Sequence, residues 1–74
     1  MQYKRIRELR EEQHLTQRQI AELLQISRSS YSNYERGTTD IPLVVICGLA
    51  DIHHTSLDYL AGLTDRRIPQ GQKQ

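Results

Sequence analysis

The sequence predicts an all-α fold: one compact bundle of five short helices. Three observations lead there. Apolar residues recur at three- and four-residue steps and nowhere alternate over a strand's length. Ser or Thr stands before three of the periodic runs, with Gly or Pro at the breaks between them. The chain has 74 residues, enough for one small domain with one modest core. The expected domain covers residues 1–64, with a flexible basic tail over 65–74.

Helix one spans about 3–13, where Tyr3, Ile6, Leu9 and Arg10 share a face and charged residues lie between them. Thr16 is a good N-cap for helix two, and Gln19 three residues later completes a capping box. Helix two then runs from about Gln17 to Leu24, burying Ile20, Ala21 and Leu24, with Ala21 suited to a close helix crossing. Gln25, Ile26 and Ser27 form a three-residue break. Ser27 caps helix three, which reaches Arg36, and Gly37 is its expected C′ residue. Thr38, Thr39 and Asp40 make a loop, and Pro42 opens helix four at its first turn. Helix four, LVVICGLADIH, is apolar around much of its circumference. Leu43, Ile46, Leu49, Ala50 and His53 fit one buried face, and Cys47 reads as a buried core thiol. Ser56 caps a short fifth helix, LDYLAG, ending at Gly62. The remainder, TDRRIPQGQKQ, has no periodicity and reads as frayed or disordered.

Composition excludes several classes. No secretory signal or apolar run of spanning length appears, so a soluble cytoplasmic protein without a membrane partner is expected. A single cysteine rules out an internal disulfide. His53 and His54 lack further ligands at metal spacing, and Asp51 with His54 makes no zinc site. Ser29 and Ser30 have no activating base nearby in sequence, and no phosphate-binding glycine loop is present. No enzyme, metal or cofactor is expected. Net charge is only +1, but its distribution is uneven. Residues 1–37 hold seven basic and five acidic side chains; residues 38–65 hold four aspartates and no Lys or Arg; residues 66–74 add three basic ones. Such asymmetry suits a polyanion on one face.

Residues 16–37, TQRQIAELLQISRSSYSNYERG, carry the most information. Advanced by about 100° per residue, helix three points Tyr31 and Tyr34 one way. Ser29, Ser32, Asn33 and Arg36 point the other, with Arg28 at the edge. Every outward group donates or accepts hydrogen bonds, and none is acidic. Arg can pair with guanine O6 and N7, Asn with adenine N6 and N7, and serine with either kind of edge. A face of this kind also suits plain solvation. At the start of helix two, Gln17 adds an amide and free backbone N–H groups, suited to a phosphate; Thr16 and Arg18 flank it. Glu35 lies nearer the tyrosines, where a carboxylate needs a partner. Arg10, on the apolar side of helix one, is that partner in a structural ion pair. Lys4, Arg5 and Arg7 read as a solvated face.

The arrangement resembles the helix-turn-helix family of lambda-type phage repressors, Cro and the XRE-like bacterial regulators. Arg10, Leu15, Thr16, Gln17, Ile20, Ala21, Leu24, Ile26, Ser27, Arg28, Tyr31 and Tyr34 to Gly37 carry the resemblance. So do Ile41 to Leu43, Leu49 to Asp51 and Ser56 to Leu60; together they cover about residues 3–64. The resemblance implies a lambda-repressor-like bundle, a palindromic double-stranded DNA operator and a homodimer. It implies base reading by Arg28, Ser29 and Asn33, to which Ser32 is added from its face. It implies phosphate contacts at Gln17, Arg36 and the Thr38–Thr39 loop, and the buried pair Arg10 and Glu35.

The chain departs from the family at several points. Gln25 stands where glycine is common; in a left-handed conformation it costs about 1 kcal/mol. The loop lacks the lysines relatives often carry, and Asp40 weakens phosphate attraction. Thr55 replaces a usual buried valine. Val44, Val45 and Gly48 occupy positions often polar, and Gly48 weakens the helix by about 1 kcal/mol against Ala. Val44, Val45 and Ile52 then line a dimer or partner-protein surface on helix four, or are scattered surface apolars. Leu57, Tyr59 and Leu60 are further dimer candidates, although Leu57 and Leu60 are also suited to the core. The competing reading is an antitoxin-like or adaptor module binding a protein through helix four.

Overall fold

The computed structural model describes residues 3–67. Five α-helices follow in order: α1 Lys4–Glu12, α2 Gln17–Leu24, α3 Arg28–Arg36, α4 Leu43–Ile52 and α5 Leu57–Leu60. No strand occurs among the described residues. Three helices start on a hydroxyl: Thr16 Oγ1 accepts from Gln19 N at 3.0 Å, Ser27 Oγ from Ser30 N at 3.1 Å, and Ser56 Oγ from Tyr59 N at 3.0 Å. Thr16 N donates to Gln19 Oε1 at 2.8 Å, closing the capping box reciprocally. Pro42 stands one residue before α4 as its N-cap, with its carbonyl accepting from Val45 N and Ile46 N.

All five helices end in one way. A residue with positive φ follows each: His14, Gln25, Gly37, His54 and Gly62. The next residue's N–H then reaches back five positions, Leu15 to Arg10, Ile26 to Ala21, Thr38 to Asn33, Thr55 to Ala50 and Leu63 to Asp58, at 2.8–3.1 Å. This is the six-to-one bond of a Schellman closure, which satisfies carbonyls that the helix end leaves open. Glycine supplies the left-handed residue only twice, so three of these turns place a side chain in a region L-residues disfavour.

The core joins one face of every helix: Ile6 and Leu9, Ile20 and Ala21, Tyr31 and Tyr34, Val45, Ile46 and Leu49, and Leu60. Burial corrects α4 at three places. Leu43, expected inside, is 71% exposed; Val45, expected outside, is buried; Cys47 is exposed. A helix apolar on nearly every side does not announce its rotation, and the first turn of α4 projects beyond the core. Ile52 is half-buried and Val44 exposed, whereas Leu60 is buried and unavailable as a surface. Gly48 has a packing reason: a Cβ there would lie 2.9 Å from Leu24 Cδ2. Leu24 itself is only half-buried, and neighbouring Leu23 is exposed.

The expected solvated face of α1 is corrected at Arg5. Its Nη1 donates to the Tyr59 and Thr64 carbonyls at 2.8 and 2.5 Å, and its Nη2 to Asp65 Oδ1 at 2.8 Å. The guanidinium also lies 4.1 Å from the Tyr59 ring centroid, a cation–π distance. Tyr59, proposed for a dimer surface, is therefore engaged within the chain; Leu57 is exposed. Beyond α5 the chain returns along α1. Arg67 pairs with Glu12 at 2.7 Å, and the buried Thr55 hydroxyl donates to the Arg67 carbonyl. The remainder of the expected tail, residues 68–74, lies outside the described residues. No described helix is long and apolar enough to cross a membrane.

Candidate nucleic-acid interface

Two anchors set the rotation of α3. Tyr31 and Tyr34 enter the core, and Glu35 is buried beside them. Arg10 Nε donates to Glu35 Oε2 at 2.6 Å and its Nη2 to Oε1 at 3.3 Å. Arg10 Nη1 donates to the Leu15 carbonyl at 2.8 Å. Gln17 Nε2 donates to Glu35 Oε1 at 3.0 Å. One carboxylate thus ties α1, the α1–α2 turn, the start of α2 and the end of α3 together. Burial alone would raise the Glu35 carboxyl; the Arg10 and Gln17 hydrogen bonds outweigh it and hold it below the ordinary range. The Tyr31 hydroxyl, buried near the same charge, is pushed well above its usual value by burial first and Glu35 second.

With the inner face fixed, the outer face follows. Arg28, Ser29, Ser32, Asn33 and Arg36 line one shallow open concavity. Arg28, Ser29 and Arg36 are exposed, Ser32 and Asn33 half-buried. A second depression, lined by Arg10, His14, Leu15, Thr16, Gln17, Arg18 and Arg28, adjoins it through the shared Arg28. No acidic residue lines either. The N-terminus of α2 opens onto the second depression, where the first-turn N–H groups of a helix have no intrahelical acceptor. Thr38 and Thr39 are exposed at the far end, and Thr38 Oγ1 donates to the Asn33 carbonyl at 3.3 Å.

The residues expected on the reading face therefore meet in one place, with two refinements. The Gln17 amide is turned inward to Glu35, leaving the backbone and neighbouring Arg18 as the outward groups. Arg36 donates to Asn33 Oδ1, so these two side chains form a unit. His14 was missed by sequence reasoning; its left-handed backbone is set by the α1 closure, for which a histidine gives no composition signal. Among the described residues no group of three His, Cys, Asp or Glu could hold a metal ion.

Two short helices joined by a tight left-handed turn, with the second anchored inward by tyrosines and polar outward, define a helix-turn-helix. The chain belongs to the helix-turn-helix family, whose model matches residues 6–60. That XRE-type family groups DNA-binding regulators, not enzymes. The chain is 38% identical over 74 residues to the uncharacterized HTH-type transcriptional regulator YobD of Bacillus subtilis (strain 168), covering all of this chain and 66% of that protein. It is 37% identical over 59 residues to the HTH-type transcriptional regulator ImmR of the same organism, covering 80% of this chain and 46% of that protein. The chain thus spans less than two thirds of the length of either relative. No solved structure matches the chain.

Proposed function

We propose that the chain is a cytoplasmic, sequence-specific transcriptional regulator, acting as a repressor, that reads the major groove of double-stranded DNA with α3. The observation that carries this is the concavity formed by Arg28, Ser29, Ser32, Asn33 and Arg36 on a helix whose opposite face is locked by Tyr31, Tyr34 and Glu35. A helix of this width fits the major groove, and these side chains match base-edge chemistry. Thr16, Gln17 and Arg18 would hold one phosphate through the α2 N-terminus, and Arg36, Thr38 and Thr39 another. Both relatives bear the name of transcriptional regulators. Two protomers would bind a palindrome with their α3 helices about 34–36 Å apart.

Selection from a random duplex pool tests this reading. A palindromic consensus supports it, and affinity should fall steeply with salt. If Arg18 and Arg36 of each protomer neutralise phosphates, log affinity falls against log salt with a slope of about −3.6. No enrichment would refute it.

One observation favours a second reading, an antitoxin-like or adaptor module. Leu23, Leu24, Ile26, Val44, Gly48 and Ile52 line a groove between α2 and α4, with Leu23 and Val44 largely exposed. Under that reading a stable heteromeric complex forms and DNA binding is weak.

A further inference from the structure

The pair at the centre of the α3 face carries one more inference, which rests on the groove-reading assignment above. Arg36 Nη2 donates to Asn33 Oδ1. A guanidinium has donors only, so the Asn33 atom facing it is the carbonyl oxygen, and the NH2 group points the other way. The contact therefore favours one of the two orientations of an amide that is otherwise free to flip. The backbone under it is also held: the Asn33 carbonyl accepts from Thr38 N at 3.1 Å and from Thr38 Oγ1 at 3.3 Å. Asn33 and Arg36 line the same concavity as Arg28, Ser29 and Ser32, so the oriented amide sits inside the reading face.

A free asparagine presents oxygen and NH2 side by side and pairs with adenine N6 and N7. Here one lone pair of the oxygen is taken by a cation, and the adjoining positive charge weakens the other as an acceptor. An adenine amino group brought to that oxygen would meet the donors and positive charge of Arg36. Guanine presents only acceptors in the major groove, O6 and N7, and meets the outward NH2 without conflict. Cytosine presents a donor and is refused for the same reason as adenine. We propose that Arg36 is a positioning residue that turns Asn33 into chiefly a hydrogen-bond donor towards the groove, so that this position of the operator favours guanine over adenine.

The test uses the full chain and the duplex recovered by selection. Asn33→Ala identifies the base position whose preference it abolishes. At that position wild-type protein should prefer guanine over adenine by about tenfold or more. Arg36→Ala frees the amide, and the preference there should move to adenine. Arg36→Lys keeps a donor and a charge, and should keep guanine. Arg36 is exposed, so the variants should fold, checked by helical circular dichroism. If Arg36 serves only as a phosphate contact, Arg36→Ala lowers affinity for all duplexes equally and leaves the base preference intact, which overturns the proposal. Adenine preferred by wild type at the Asn33 position overturns it as well. Failure of the underlying reading looks different: no consensus at all, or an Asn33→Ala variant with every base preference intact.

Discussion

Replacing Arg10 by Met should destabilise the domain strongly by stranding a buried carboxylate. Arg10 gives Glu35 two hydrogen bonds and gives the Leu15 carbonyl a third. Glu35 is left 4% exposed in its side chain, with only Gln17 to pair it. Removing one partner of a buried ion pair costs about 3–5 kcal/mol. The Arg10 side chain keeps 12% exposure, so water can reach part of the vacated space and the lower end, about 3 kcal/mol, is expected. A chain of this size has about 4–11 kcal/mol in total, so the variant should be partly unfolded near 37 °C. The double variant Arg10→Met, Glu35→Leu removes both charges. It should regain at least about 2 kcal/mol over the sum of the single changes, because neither charge is stranded. Urea unfolding followed by circular dichroism gives all four corners of the cycle. An Arg10→Met loss below about 1 kcal/mol, or an additive cycle, would show that Arg10 and Glu35 are not energetically coupled.

Gln25→Gly relieves a side chain held at φ 60° and should stabilise by about 0.5–1 kcal/mol after the entropy of a freer unfolded chain is subtracted; a loss of urea midpoint contradicts this. Gly48→Ala gains up to about 1 kcal/mol of helix propensity, part of it offset as Leu24 moves, so a small rise in Tm is expected and a drop of several degrees is not. His53 is buried with both ring nitrogens unpartnered, and burial, with Arg67 second, lowers its pKa below the ordinary 6.5. The unfolded chain therefore takes up a proton near pH 6.5 that the folded chain refuses. Stability at this site is complete above that pH and falls as pH drops towards the folded value. Urea midpoints between pH 7.5 and 5.5 should show that slope in wild type and a shallower one in His53→Gln; equal slopes would exclude His53 as the cause.

The helix-turn-helix was legible because local signals there agree with the packing. Thr16 and Ser27 cap, Gly37 closes, and Tyr31, Tyr34 and Glu35 separate cleanly from Ser29, Ser32 and Asn33 by rotation. Glu35 needed a partner, and Arg10 was the one cation on an apolar face. Helix four was not legible in the same way. With apolar residues on nearly every side, LVVICG gives no single inward direction, so Leu43, Val45 and Cys47 were exchanged between core and surface. Arg5 escaped notice because its partners, the Tyr59 and Thr64 carbonyls and Asp65, lie more than fifty residues away in sequence. The Arg36–Asn33 contact escaped because either side chain alone suits DNA, and their hydrogen bond to each other shows only in the fold. Left-handed His14 and His54 carry no glycine to mark them.

Methylation interference on the selected duplex tests the groove assignment most directly. Dimethyl sulfate modifies guanine N7 in the major groove and adenine N3 in the minor groove, and the two edges are read by different surfaces. Guanine N7 methylation should block binding in two patches about one helical turn apart, and adenine N3 methylation between them should have little effect. Interference confined to adenine N3, or no interference at guanine N7, would contradict a major-groove reading by α3.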